Sequence, residues 1–226
     1  MSISRNPKPV LSVEAFLINP MTTVTFMTTG TATDTLQDSL HRFTVDDYYR
    51  MADVGILEPD DRVELLDGQV VQMSPIGIEH AHVVDTLTDM LFAVRQKAII
   101  RVQNPVRLDR ENEPEPDLSL LKRRHAGYAH GHPGPSDVLL IIEVSDSSII
   151  FDRETKLPLY ARFNIPEVWL VDLQAERVEI HRSPSGGTYG DIRRISPPES
   201  ASPEAFPDIH IDTARLFPDR KTLRFP

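Results

Sequence analysis

The apolar positions of this chain follow two different periods, and the switches between them mark out its elements. After His41-Arg42-Phe43, Thr44 can cap a helix with Asp47 as its third residue; Tyr48, Met51 and Ala52 then share a face, and Gly55 ends the run. Arg62-Val63-Glu64-Leu65-Leu66 and Gln69-Val70-Val71-Gln72-Met73 flank Asp67-Gly68, a two-residue turn that specifies a β-hairpin. Over 78–97 the residues Val83, Val84, Leu87, Met90, Leu91 and Val94 recur at helical spacing, which predicts one long amphipathic helix.

Strands are expected over 99–108 and 116–121, followed by a loop over 122–137 that is rich in Gly, Pro and His. The run 138–144 is continuously apolar except for Glu143 near its end, the pattern of a strand buried on both faces. A helix follows over 152–164, with Leu159, Tyr160 and Phe163 on its packing face and Pro158 expected to kink or delay it. A second hairpin joins 168–172 to 177–182 around Gln174-Ala175, and a proline-rich tail closes with a short strand over 208–211 and a helical turn after Asp212. This order predicts an α/β (α+β) fold, a mixed β-sheet flanked by helices and carrying β-hairpins. Residues 1–40, rich in Thr, Ser and Pro and without sustained periodicity, read as a flexible leader ahead of one domain over 41–226.

Composition narrows the chemistry. With 226 residues, 40% of them hydrophobic, the chain can bury one substantial core. It has no cysteine, which rules out disulfides, a thiolate zinc site and a cysteine nucleophile, and fits a reducing, cytoplasmic setting. No apolar run approaches the roughly 18 residues of a membrane span, so no membrane partner is expected. The apolar stretch 10–17 is interrupted by Glu14 and followed by Pro20, a poor export signal. The net charge of −10 argues against non-specific coating of nucleic acid, which rests on basic residues neutralising phosphates. Clustered carboxylates that hold cations would produce the same acidity. Lys122-Arg123-Arg124 and Arg193-Arg194 are candidate basic patches, with a solvated surface run as the plain reading of each.

An ionised Glu143 at the end of a buried strand is costly without a partner. Asp117 follows Pro116 at the start of a strand 26 residues earlier, so if the two strands are neighbours their carboxylates meet at one sheet edge. Two carboxylates within about 4 Å repel by roughly 4 kcal/mol at an effective dielectric near 20, so they must share a proton or a cation. Their oxygens, the Val144 carbonyl and water suit Mg²⁺ or Mn²⁺ rather than zinc. Lys156 is the candidate to orient an attacking water beside them, although Asp152 and Lys156 also form an ordinary i, i+4 helix pair. Glu64 is either a third site carboxylate or a solvated strand residue, and His80 is a candidate phosphate contact or proton carrier. His125, His130 and His132 lack a spaced acid or fourth ligand, which speaks against zinc there. Trp169 and Tyr160 read as core.

The run Glu64 to Gly68, His80, Pro116-Asp117, Glu143 to Ser148, Asp152 to Lys156, Tyr160 and Ile165-Pro166-Glu167-Val168-Trp169 resembles, in order and spacing, the Uma2 family of restriction-endonuclease-like proteins, which is similar to PD-(D/E)XK nucleases. The resemblance implies a metal-dependent endonuclease acting on DNA, with Asp117 and Glu143 as metal ligands and Lys156 as the catalytic lysine. It departs from the wider pattern in one place, since the position two residues after the second acid is Ser145 and the lysine has moved to the following helix. A homodimer fits the cutting of two strands. A nuclease-fold module that binds without cutting, and a phosphohydrolase acting on small substrates, are the competing expectations.

Overall fold

The computed structural model describes residues 39–217, so nearly all of the leader expected over 1–40 lies outside the described residues. Helix α1 (Val45–Asp53) starts at a reciprocal cap, in which Thr44 Oγ1 accepts from the Asp47 amide and Asp47 Oδ2 accepts from the Thr44 amide. Strands β1 (Val63–Leu66) and β2 (Gln69–Gln72) form the expected hairpin. Its turn needs positive φ at both central residues, and Asp67 and Gly68 supply it at 47° and 69°. At Gly68 a side chain is excluded twice over, because a Cβ there would lie 2.5 Å from Arg42 Cβ and 2.9 Å from Arg42 Cα. The hairpin docks through Glu113 N–H to Leu65 O (2.8 Å) and Gly68 N–H to Glu111 O (2.9 Å).

Helix α2 (Ile78–Leu91) is shorter than the expected 78–97 and runs into a 3-10 turn at Phe92–Val94. The apolar stripe ends there: Val83, Val84, Leu87, Leu91 and Val94 are buried, while Phe92 and residues 95–97 are exposed. The main sheet follows in the spatial order β3 (Ala98–Val102), β4 (Leu118–Lys122), β5 (Val138–Ser145), β6 (Glu167–Asp172), β7 (Arg177–Ser185) and β8 (Thr188–Ile195). All neighbours are antiparallel except β5 and β6. A parallel pair needs a crossover, supplied here by α3 (Ile149–Phe151), a π-helical turn (Asp152–Lys156) and α4 (Leu157–Arg162). A small pair, β9 (Ser200–Ala201) and β10 (Ile211–Asp212), precedes α5 (Thr213–Leu216).

Several boundaries differ from those the sequence suggests, each for a local reason. The strand expected over 99–108 stops at Val102, because Gln103 adopts φ 47° and turns its N–H onto the Asp117 carbonyl at 3.0 Å. The strand expected from 116 begins at Leu118, which leaves Asp117 at the rim of the sheet. The crossover helix begins at Ile149, before the expected 152, so Pro158 does not delay it; its effect is a local distortion. Pro158 has no N–H for the usual bond to residue 154, and Leu157 donates to Asp152 O, five residues back, so the helix widens into a π turn just before the proline. Strand β8 was not anticipated, since its exposed Gly190, Asp191, Arg193 and Arg194 conceal any apolar alternation. Such charge suits an edge strand.

The sheet is covered on both faces, which makes this a mixed α/β fold. On one face α2 packs Leu87 and Leu91 among Leu118, Leu140, Ile142 and Trp169. On the other, α4 packs Leu157, Leu159 and Tyr160 among Ile141, Val168 and Leu170. Alternation along the strands therefore assigns Glu143 to the α4 face, since Ile142 and Val144 belong to the other. No helix among the described residues is long and apolar enough to cross a membrane.

Candidate active site

The antiparallel register of β4 and β5 pairs Leu118 with Ile142, so Asp117, one step before β4, comes opposite Glu143. Asp117 is tied to that strand: its Oδ2 accepts the Val144 amide at 2.8 Å. Its Oδ1 lies 3.0 Å from His80 Nε2, which the first turn of α2 brings to the same rim, and 3.4 Å from Gln103 Nε2. The other ring nitrogen, His80 Nδ1, is buried with no hydrogen-bond partner. All five candidate side chains read from the sequence thus have a place here, because Lys156 and Glu64 complete the group.

The Lys156 ammonium lies 3.0 Å from Glu64 Oε1 and 3.3 Å from Glu143 Oε1, bridging the hairpin and the central strand. Its ion pairs are these two rather than the ordinary helix pair with Asp152. Asp152 instead accepts the hydroxyls of Ser145 and Ser148, both at 2.7 Å. Glu64, only 3% exposed, is no solvated strand residue; its second oxygen accepts the Glu115 amide at 3.0 Å. Tyr160, one helical step beyond Lys156, donates its hydroxyl to Glu143 Oε1 at 2.5 Å. The core reading of Tyr160 was therefore half the answer, since its ring packs with α4 while its hydroxyl enters the site. The i, i+4 spacing of Lys156 and Tyr160 was the available signal, together with Asp152 four residues before.

Burial pushes the Glu143 carboxyl up to about 8; Asp117, Asp152 and Glu64 add repulsion, and Lys156 pulls the other way. Burial alone would lower the Lys156 ammonium, but Glu143 and Glu64 more than reverse it and hold its pKa above the ordinary lysine value. Asp117 ends below the usual carboxylate range: burial opposes this, and the His80 contact and the Val144 amide overcome it. Glu115 is raised, by burial first and then by Glu64. Carboxyl groups therefore outnumber cationic groups around one cavity of about 270 Å³, whose lining includes Glu64, His80, Asp117, Glu143, Ser148 and Lys156.

Other candidates resolve differently. His132 Nε2 lies 3.0 Å from the Tyr49 hydroxyl, and Tyr49 also donates to Glu113 at 2.6 Å, a polar clamp beside α1. Among the described residues no three His, Asp or Glu side chains gather as a metal site on their own. In the basic runs, Arg124 pairs with Asp137 and Arg193 with Glu199, whereas Arg194 reaches the buried Glu179. Trp169 is fully buried and donates to Glu167 at 2.8 Å.

A family model described as "Putative restriction endonuclease", Uma2, matches residues 45–214. Among solved structures, the crystal structure of a protein described as a putative nuclease of the DUF820 group from Anabaena variabilis superposes with a TM-score of 0.60. It is 15% identical, and the match covers 77% of this chain and 97% of that one, a likeness of fold. No curated protein matches the chain.

Proposed function

Because the chain belongs to the Uma2 family, we propose that it is a metal-dependent endonuclease that hydrolyses phosphodiester bonds in DNA. The observation that carries this reading is the approach of Asp117 and Glu143 across β4 and β5, with Lys156 delivered to Glu143 from the crossover. A carboxylate-rich cavity containing a single lysine suits a divalent cation with oxygen ligands. Asp117, Glu143 and the Val144 carbonyl would hold Mg²⁺ or Mn²⁺, with water and substrate oxygens completing the shell. The Val144 N–H already points to Asp117, and in an extended strand a residue's carbonyl leaves on the same side as its N–H. When bound, the metal supplies Lewis-acid polarisation of the phosphate and a more acidic water.

The chain's own residues do the rest. Lys156 orients the attacking water and donates to the charge that develops on the phosphoryl oxygens. Glu64 keeps the ammonium in place, and His80 fixes the Asp117 carboxylate. In the same reading, residues 41–226 act as one nuclease domain in the cytoplasm, and two copies pair to cut both strands of a duplex. The test is cleavage of plasmid DNA with and without Mg²⁺ or Mn²⁺. Asp117→Ala and Glu143→Ala should each abolish metal-dependent cutting while circular dichroism stays native, and cutting that survives in either variant rejects the site.

One observation favours a second reading, a module that binds nucleic acid without cutting it: Lys156 is already engaged by two carboxylates, and the strand position that usually carries the lysine is Ser145. Calorimetry with Mn²⁺ separates the two, since only the enzyme requires stoichiometric binding that Asp117→Ala removes.

A further inference from the structure

A second charged cluster lies on the same sheet face, outside the cavity. Glu179 on β7 is 1% exposed, and a single one of its oxygens, Oε1, is approached by three arginines: Arg177 at 2.9 Å, Arg153 at 3.1 Å and Arg194 at 3.3 Å. Asp172 adds a second carboxylate, 3.3 Å from Arg177 and 3.9 Å from Arg153. Three guanidiniums thus face two carboxylates. Holding Glu179 in place needs only one arginine in a bidentate pair, yet here all three crowd one oxygen. Each guanidinium carries five N–H donors, most of which these contacts leave unused, and Arg177 Nε is buried with no partner at all. The arginine side chains remain 35%, 35% and 57% exposed for Arg153, Arg177 and Arg194, so the cluster opens to solvent although Arg177 Nε itself does not.

The register relates this cluster to the cavity. Glu143 pairs with Leu170, Leu170 with Glu179, and Glu179 with Arg194, a single row across four strands. At roughly 4.8 Å between strands, Arg194 stands about 14 Å from Glu143 along that row. The rise per nucleotide of a DNA strand is about 3.4 Å along the helix axis, so the gap corresponds to about four nucleotides measured along that axis. The π turn links the two ends, sending Lys156 toward Glu143 and Arg153 toward Glu179.

We propose that Arg153, Arg177 and Arg194 form a phosphate site that grips the backbone of the nucleic-acid substrate a few nucleotides from the scissile bond. The inference rests on the nuclease reading and adds to it the part of the chain that holds the substrate. Glu179 and Asp172 preorganise the guanidiniums, and the surplus positive charge is left for a phosphate diester. In a chain of net charge −10, such a local patch is what lets a polyanion approach the acidic cavity.

The experiment measures binding of a fluorescent DNA duplex to the full chain by anisotropy across a salt series, with Ca²⁺ replacing Mg²⁺ so that binding is read without turnover. Arg194→Gln, at the most exposed of the three, should weaken binding about tenfold and lower the slope of log affinity against log salt by about one. Arg194→Lys keeps the charge and should keep the slope. With Mg²⁺, kcat should be unchanged in Arg194→Gln, and KM should rise. If the parent chain binds and cuts DNA but Arg194→Gln and Arg153→Gln both match its affinity and slope, the phosphate site is refuted and the nuclease reading stands. If the parent chain neither binds nor cuts duplex or single-stranded DNA, both fall.

Discussion

The Tyr160 hydroxyl meets Glu143 Oε1 at 2.5 Å, and the Lys156 ammonium stands 3.3 Å from that same oxygen. One buried carboxylate oxygen is therefore held by two residues four apart on the crossover helix, a neutral donor and a cation. Burial, joined by repulsion from Asp117, Asp152 and Glu64, disfavours the ionised carboxylate, while Lys156 favours it, as a hydroxyl donor also does. The balance among these influences decides how the site responds to pH, to mutation and to metal.

Tyr160→Phe keeps the ring in the core and deletes only the donor. A hydrogen bond contributes about 0.5–1.5 kcal/mol between neutral groups and about 1.5–3 kcal/mol to a charged one, so stability should fall by the smaller amount below about pH 8, where Glu143 is protonated, and by the larger amount above it. The Glu143 carboxyl should move further up, carrying the alkaline rise of metal-dependent activity to higher pH. A rate profile unchanged in pH would show that this hydroxyl does not act on Glu143.

Lys156→Met should lower the cleavage rate about a hundredfold or more, by removing the donor next to the reacting phosphate. It also leaves Glu64 and Glu143 facing each other without a cation, at a cost of about 3–5 kcal/mol. A proton on Glu143 relieves that repulsion, and without Lys156 this carboxyl moves further above its value of about 8, so the variant's stability deficit should be largest in alkaline solution and shrink as the pH falls toward 8. Urea midpoints across pH would measure it.

Metal binding should release protons. Between the ordinary carboxylate value of 4.5 and about 8, the folded chain holds a proton on Glu143 that the unfolded chain has lost. The stability of the metal-free protein therefore falls as pH rises through this window. Asp117 has the opposite sign: its lowered value stabilises the fold above 3.8, and that stabilisation is lost on acidification. A cation that needs the Glu143 carboxylate must displace its proton, so Mn²⁺ affinity should climb with pH until about 8 and then level off. Titration calorimetry in buffers of different ionisation enthalpy reads both the affinity and the proton count.

Gly68→Ala should destabilise the chain by about 2–4 kcal/mol, combining a strained positive φ with a clash against the Arg42 backbone. Since the hairpin carries Glu64 to Lys156, the variant should also lose activity at temperatures where it remains folded. Denaturant midpoints and rates together test this.

Much of the fold could be read from local chemistry. Thr44 with Asp47, and Asp67 with Gly68, are short-range signals, and the run 138–144 points to a central strand because it is continuously apolar but for Glu143, short, and rich in the β-branched Val138, Ile141, Ile142 and Val144. Strand β8 could not be read in the same way, because an edge strand is stabilised by its neighbour and not by its own pattern; the Gly186-Gly187 turn before it, with φ of 58° and 81°, was the signal to follow. At the site, the two acids followed from burial and strand pairing. The bond between Tyr160 and Glu143 did not, because it depends on how the crossover is rotated above the sheet. That rotation is set by the π turn, a consequence of Pro158 that a regular helical wheel cannot represent.

The placement of Lys156 on the crossover has a dynamic consequence. A lysine two positions after an acid on one strand is tethered to it by covalent geometry and stays in place as long as the strand exists. Here the tether is noncovalent, formed by the packing of Leu157, Leu159 and Tyr160 on the sheet. Fluctuations that lift this short helix would separate the ammonium from the acids while the six strands remain paired, so the proposed catalytic group would come apart at a lower free energy than the domain itself. The site should therefore reassemble each time the crossover seats; amide exchange over 149–162 faster than in β4 to β7 is the expected result, and equal protection would contradict it.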